Sequence, residues 1–447
     1  MTSRFVCAGC GAEPDPESLP FRCPNADAGD DVDHVLRRRL DPAPAFPRGP
    51  ERRPFVRYRS LLHAYHVATE GGMTDGAFCE LVFDLDARVA EVDGHGFVVT
   101  PFERSAVLSD RLGFTDEGGV WIKDETGNVS GSHKARHLFG VLLLLEVLER
   151  LGRPAHADLA IASCGNAALA AAVVASAGGR QLRVFVPVDA DPAVLARLEE
   201  LGALVTSCAR VAGATGDPTV HALMDAIAAG ALPFTCQGNL NGLAVEGGYT
   251  LGWELASAGV DLDRVIVQVG GGALASAVAA GMREGGLSPR LDTVQTEGAW
   301  PLRRAYTAVT ARGGESALSY AAHHRHEFMR PWEQEPHSIA HGILDDETYD
   351  WLAVVEAMLR GHGSPLVADE RVLAGANALA RTTTGIPVDP TGSAGLAGLI
   401  ALRELGAVDD GERVALLFTG IDRSSKGEGD EKLHRTRHPV AEGLRAR

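Results

Sequence analysis

Residues 119–150 read GVWIKDETGNVSGSHKARHLFGVLLLLEVLER. A short apolar run, GVWIK (119–123), gives way to a polar, glycine-punctuated turn and then to a strongly apolar helical run, HLFGVLLLLEVLER (137–150). This strand, turn and helix pattern recurs. LAIA leads through Ser163-Cys164-Gly165-Asn166-Ala167 into an Ala-rich helical run, and RVIVQV (264–269) leads through Gly270-Gly271-Gly272-Ala273-Leu274 into another. Two more β-type runs, RVFVPV (183–188) and RVALLF (413–418), continue the rhythm. Short apolar strands alternating with helices predict an α/β protein whose open parallel sheets are covered on both faces. In such sheets ligands bind where the carboxyl ends of strands lead into helices. Those turns hold the unusual residues of this chain.

In the first turn Ser132 is expected as the helix N-cap, which places Lys134 in the first helical turn. A cation there opposes the helix dipole. A neutral amine, or one condensed into an imine, suits the position better, so Lys134 is a candidate nucleophile. In the second turn small residues allow close backbone approach. Free amides at the helix start attract an anion such as a carboxylate, and Asn166 adds a side-chain donor. In the third, consecutive glycines expose successive N–H groups in the manner of a phosphate cradle. It matches neither the dinucleotide GxGxxG nor the P-loop pattern. The strand RVALLF delivers Thr419 at its carboxyl end, and Asp389-Pro390-Thr391-Gly392-Ser393 forms a further turn opening a helix. Taken singly, each turn also has a plain reading as a capped loop.

The chain has 447 residues, a length that suggests two or three domains. Its 42 Lys and Arg face 59 Asp and Glu, a net charge of −17 that disfavours nucleic acid and anionic membrane surfaces. Seven cysteines, a low and odd count, suit a reducing cytoplasm better than a disulfide scaffold. The uncharged stretch 159–179 is divided by Ser163–Asn166 into pieces too short to span a bilayer. The start, MTSRFVCAGC, lacks an apolar signal core, so a cytoplasmic location is expected. Residues 1–40 stand apart as a Cys-rich segment, and 41–54, with five prolines, read as a connector. The charged stretch 424–447 reads as a poorly ordered tail. No internal repeat, heptad run or low-complexity tract is present.

The order of the signals (lysine, S-x-G-N, triple glycine, terminal T-G) resembles that of the fold type II pyridoxal-phosphate enzymes. This group contains threonine synthase, threonine and serine dehydratases and the tryptophan synthase β chain. KDETGNVSGSHKAR is similar to threonine synthase's KDE-x-x-N-x-T-G-S-F-K-D-R. EGGYTLGWEL (246–255) resembles EGQKTLAFEI, VQTEGAWPL (294–302) resembles QAxGAAPI, and FTGIDRSSK resembles T-G-x-G-x-K. The likeness spans roughly residues 100–425.

This resemblance implies two open parallel-sheet domains with pyridoxal 5'-phosphate between them. Residues 41–156 and 233–447 would form the large cofactor domain and 157–232 the small one. Lys134 would carry the cofactor as an imine and then shuttle the Cα proton. Asn166 would bond its phenolic oxygen, the amides of Gly270, Gly271, Gly272, Ala273 and Leu274 its phosphate, and Thr419 its pyridine nitrogen. Ser163, Cys164, Gly165 and Ala167, with Asn166, would grip the substrate carboxylate. A neutral hydroxyl at the ring nitrogen makes a weaker electron sink than a carboxylate, which favours loss of a β or γ leaving group. The expected activity is therefore a threonine synthase-like lyase. A β-eliminating dehydratase or ammonia-lyase, or a sulfhydrylase-type replacement enzyme, is the alternative. A homodimer acting on a small amino acid is expected. Four departures stand out: His133 for the usual Phe, Ala135 for Asp, Cys164 for a frequent Ser, and Ala167 for a frequent Thr.

Cys7-x2-Cys10-x12-Cys23 resembles half a zinc ribbon, as some threonine synthase relatives carry. Ala26 stands where a fourth Cys would complete it, and His34 is the nearest substitute, with Asp27 and Asp33 behind it. Three thiolates and an imidazole make a closed structural zinc site, and a metal-free remnant is the alternative. His323, His324, His326 and the segment PHSIAHGILDD (336–346) read as a polar region lining the pocket entrance. Two further readings carry less support. A non-catalytic regulatory protein would not need Lys134, Asn166, the glycines and Thr419 together. A nicotinamide dehydrogenase would need a glycine fingerprint followed by an acidic residue, which is missing.

Overall fold

The computed structural model describes residues 2–153, 155–210 and 217–423, so the expected tail 424–447 lies outside the described residues. One sheet has six strands, in spatial order Pro365–Ala368, Arg290–Thr296, Arg264–Gln268, Arg413–Phe418, Gly119–Asp124 and Phe102–Arg104. Its neighbours run parallel except at one edge, where Phe102–Arg104 lies antiparallel to Gly119–Asp124. That edge departs from an all-parallel expectation: residues 105–118, which carry the short helix Ala106–Arg111, return the chain to an antiparallel neighbour. The second sheet is parallel throughout: Leu204–Cys208, Leu182–Pro187, Leu159–Ala162 and Leu232–Pro233. The central strands are buried on both faces, which is why they read as continuous apolar runs.

The helix Lys134–Arg150 is apolar on almost every side and almost wholly buried. It packs against the helices Asn166–Ala177 and Gly242–Ser257. Contact with the latter requires glycine, since a Cβ on Gly247 would fall 2.1 Å from the Arg136 carbonyl oxygen. Beneath this helix lies a network of buried charges. Arg136 Nε donates to Glu125 at 2.8 Å and Arg136 Nη1 to Glu254 at 2.6 Å, while Lys123 Nζ reaches Glu254 at 2.5 Å. Burial pushes the Glu254 carboxyl pKa up, but Arg136 and Lys123 outweigh it and hold the group below its ordinary value. Removing one partner of such a set costs about 3–5 kcal/mol, because the remaining charge is stranded. The network therefore fixes the helix start to the end of strand Gly119–Asp124.

The N-terminal segment is not a loose appendage. Strand Ser3–Cys7 pairs antiparallel with Leu36–Leu40, and Phe5 and Cys7 are buried in the main core. Asp33 Oδ1 accepts from Trp351 Nε1 at 3.0 Å and from Arg325 Nε at 3.3 Å. No described helix is long and apolar enough to cross a membrane.

Candidate active site

The carboxyl ends of the two sheets face a cavity of about 340 Å³. The residues expected to meet the cofactor and the substrate carboxylate all line it: Lys134, Ser163 to Ala167, Gly270 to Leu274, and Thr419. Residues more than 280 positions apart thus meet because each ends a strand or opens a helix on the same side of its sheet.

Lys134 is the first helical residue, and the N-cap is His133, without a side-chain cap. This corrects the expectation for Ser132. Its backbone is extended, with φ −160° and ψ 161°, because it pairs with Gly420 in an isolated bridge. His133 N–H donates to Thr419 O at 3.3 Å, so the lysine turn is tied directly to the end of the last strand. His133 Nε2 is buried without a partner. Burial, together with the nearby Lys134 charge, drives the His133 pKa well below its ordinary value, so the ring is neutral. His137, one turn on, is lowered to about 3 by burial and then by Lys134.

At Thr419 a residue the sequence reading missed sets the hydrogen-bond direction. Gln268 Nε2 lies 2.9 Å from Gly392 O, 3.2 Å from Leu417 O and 2.6 Å from Thr419 Oγ1. Two of these partners are carbonyls, which only accept, so the amide must present its N–H groups. Thr419 Oγ1 then accepts from Gln268 and keeps its own proton to donate into the cavity. Gln268 Oε1 has no partner. The signal was present as a single glutamine near the end of the apolar run RVIVQV.

Asn166 opens the helix Asn166–Ala177. Its Oδ1 accepts from Arg423 Nη2 at 3.1 Å, and its amide hydrogen-bonds the Asp389 carboxyl group. Burial raises the Asp389 pKa to about 6, against the pull of the Gly392 N–H. Cys164 faces the open side of the cavity, where desolvation and then the Asp189 charge push its thiol pKa up.

The glycine turn joins strand Arg264–Gln268 to helix Ala273–Glu284, and Gly272 takes φ +95°. Side chains are excluded there. A Cβ on Gly270 would fall 2.2 Å from Asp345 Oδ2, one on Gly271 2.9 Å from the Tyr349 ring, and one on Gly272 2.8 Å from Thr348. The turn is therefore roofed by residues 343–350, and burial raises the pKa of the Asp345 carboxyl above it, against the pull of Lys134 and the Gly271 N–H. A turn that admits no Cβ and opens the helix Ala273–Glu284 fits a phosphate, and the partnerless Gln268 Oε1 and His133 Nε2 fit a polar ligand nearby.

Of the expected entrance region, His341 and residues 342–345 do line the cavity. His323, His324 and His326 do not, which corrects that part of the reading. His324 stacks on Tyr320 at 3.8 Å, and His326 N–H donates to Asp31 Oδ1 at 2.9 Å, beside the N-terminal segment.

Cys7, Cys10, Cys23 and His34 converge, with all four donor atoms within 4.8 Å of one another. His34 Nδ1 lies 3.6 Å from Cys7 Sγ and 3.4 Å from Cys23 Sγ, and Cys10 Sγ lies 3.6 Å from Cys23 Sγ. Behind the imidazole stands Asp30, 2.9 Å from Nε2. Asp27 instead pairs with Arg22, and Asp33 with Arg325 and Trp351. Three thiols and a carboxylate-backed imidazole fit a tetrahedral structural metal.

Comparison with known proteins adds the following. The family described as pyridoxal-phosphate dependent enzyme matches residues 95–420. A threonine synthase of Methanosarcina acetivorans is 27% identical over 335 residues, covering 72% of this chain and 74% of that protein. A biosynthetic L-threonine dehydratase of Haemophilus influenzae is 28% identical over 210 residues, 45% of this chain and 36% of that one. Among solved structures, the processed threonine deaminase isoform 2 of Solanum lycopersicum superposes with a TM-score of 0.57 at 19% identity, covering 81% of this chain and 93% of its own.

Proposed function

Because the chain belongs to the pyridoxal-phosphate dependent enzyme family, we propose that it is a lyase acting on an amino acid with a β or γ leaving group, threonine synthase-like in its chemistry. The observation that carries this reading is the convergence of Lys134, Asn166, the glycine turn and Thr419 on one cavity. The cofactor supplies an electron sink for the pair released at the substrate's Cα. Lys134 would hold it and move the Cα proton, while Asn166 would meet its phenolic oxygen and the amides of Gly270 to Leu274 its phosphate. Thr419, with Gln268 donating to its oxygen, presents a hydroxyl proton and no negative charge to the ring nitrogen. That arrangement would leave the ring nitrogen unprotonated and would suit prompt loss of a leaving group. The amides and hydroxyl of Ser163 to Ala167 would orient the substrate carboxylate.

Elimination to an oxoacid and ammonia is the second reading. It is favoured by Ala167, which removes a hydroxyl expected beside the substrate of a threonine synthase, and by the likeness to a threonine dehydratase. Borohydride treatment followed by mass spectrometry tests the assignment. The reduced cofactor should appear on the peptide carrying Lys134, and a label elsewhere or none at all overturns it. Assay of released phosphate and ammonia across candidate amino acids then separates the two readings.

Three subsidiary readings belong with this one. Cys7, Cys10, Cys23 and His34 would hold a structural zinc; Cys7→Ser should lower the melting temperature and remove metal from elemental analysis. Residues 157–232 would form the small domain against 41–156 and 233–447. The protein would work as a cytoplasmic homodimer.

A further inference from the structure

A second cavity, of about 210 Å³, shares no lining residue with the catalytic one. Its walls are the strand Leu36–Leu40 and the helices Gly242–Ser257, Ala273–Glu284 and Trp351–Arg360. The last two helices face it with Ala279, Ala280, Ala353 and Ala357, whose short side chains leave the space unfilled. Around it stand five arginines and four carboxyl groups, a local positive surplus in a chain of net charge −17. Most of the carboxylates are already engaged. Arg38 pairs with Glu246 at 2.9 Å and with Glu284 at 2.6 Å, while Glu356 is shared by Arg37 at 2.6 Å and Arg360 at 2.8 Å. Burial pushes the fourth, Asp350, up to about 7, which lessens its charge. What is left over is donor capacity. The Arg39 and Arg283 side chains make no hydrogen bond or close ion pair among the described residues, and Arg283 is felt at Glu356 only as a nearby charge. Arg37 Nε is buried without a partner. Tyr249 is only 8% exposed, yet among the described residues its hydroxyl has no hydrogen-bond partner.

We propose that this second cavity binds a small oxyanion, a phosphate or a carboxylate, through Arg37, Arg39 and Arg283, with the Tyr249 hydroxyl as a further donor. Guanidinium groups present paired N–H donors that match an oxyanion's edge, and a phenol supplies one more proton without a charge. The ligand would fasten the N-terminal strand to two helices of the main body, so its binding adds to the stability of the folded chain. Asp350 joins the two cavities: it lines this one, and its N–H donates to Gly271 O in the glycine turn at 2.9 Å. The proposal does not depend on the cofactor reading.

The test uses the full chain saturated with pyridoxal 5'-phosphate, which keeps phosphate probes out of the catalytic cavity. Inorganic phosphate, pyrophosphate and succinate are each titrated by calorimetry at fixed ionic strength. At least one should bind saturably at a single site and raise the melting temperature, and the tightest probe names the headgroup. Combining Arg39→Ser with Arg283→Ser should weaken that binding about ten-fold or more, and Tyr249→Phe about five-fold, the scale of one hydrogen bond. Arg371→Ser removes the same charge from an exposed position outside the cavity and should stay within about two-fold of the wild type. Absence of saturable binding of all three probes to the wild type overturns the proposal, and that arm needs no variant. Binding that survives both the double substitution and Tyr249→Phe also overturns it, as does an equal loss in Arg371→Ser. Failure to trap a cofactor at Lys134 would reject the cofactor reading and leave this outcome to be read separately.

Discussion

Two strand–turn–helix units with the same local plan face this cavity under opposite conditions. The turn Gly270–Leu274 follows a strand buried between Arg290–Thr296 and Arg413–Phe418, and it is closed over by residues 343–350. The turn Ser163–Ala167 follows a strand bordered on one side by only the two-residue strand Leu232–Pro233, and Cys164 is exposed. Both open a helix toward the cavity. Under the proposed function, the first would hold its anion in a roofed seat, suited to a group that stays through many turnovers. The second would hold its anion at an open rim, suited to a ligand that arrives and leaves. The same backbone device would then serve two residence times, set by what packs on top of it.

This contrast can be broken or sharpened experimentally. Lys134 stands between the two turns, and Lys134→Ala should cost roughly a thousand-fold or more in turnover. Loss of the coloured enzyme by absorbance, with an unchanged circular dichroism spectrum, checks it; retained turnover would remove the premise of the comparison. Gly271→Val, which drives a side chain toward the Tyr349 ring, should weaken cofactor retention by roughly 10–100-fold, read by dialysis and absorbance. A variant that kept its cofactor would mean that the roof yields easily.

The opposite turn should answer differently. Ala167→Thr should shift relative kcat/KM among amino acids by roughly ten-fold, the scale of one hydrogen bond, without altering cofactor retention. A change in retention instead would erase the division of labour.

The smallest effect belongs to Asp389, the partner of Asn166. Its pKa is raised by burial from 3.8 to about 6. A carboxyl raised on folding contributes stability that is present below the unfolded value and lost as pH rises through the folded one. Asp389→Asn stays neutral, so its melting temperature should gain on the wild type between pH 5 and pH 8. The gain is about 1 kcal/mol, and differential scanning calorimetry at the two pH values reads it. A constant difference would mean that the carboxyl group is not titrating in that window.

The turns were legible in the sequence because their chemistry is local: a lysine, a glycine run or an asparagine announces itself beside a strand. What escaped lies on other elements. Gln268 is fixed by Gly392, 124 positions away. Asp345, within the expected entrance segment, and Asp389, at the start of a singled-out turn, both line the cavity, but no local pattern showed which side chains they would meet. Ser132 has an N-cap residue type, but Gly420 recruits its backbone into extended pairing, and no local rule anticipates a partner 288 residues distant. Likewise His323, His324 and His326 share a neighbourhood in sequence with the pocket loop but turn toward Asp31 and Tyr320.

Asp33 carries a consequence for how this chain can be cut. Its carboxylate sits in the stretch before the family match begins, yet it accepts the Trp351 indole proton and pairs with Arg325, which in turn grips Glu347. A shortened chain starting after residue 40 would strand a buried donor and a cation alongside the roof of the glycine turn. The leading forty residues therefore behave as a keystone of the catalytic body and could not be exchanged as an independent module.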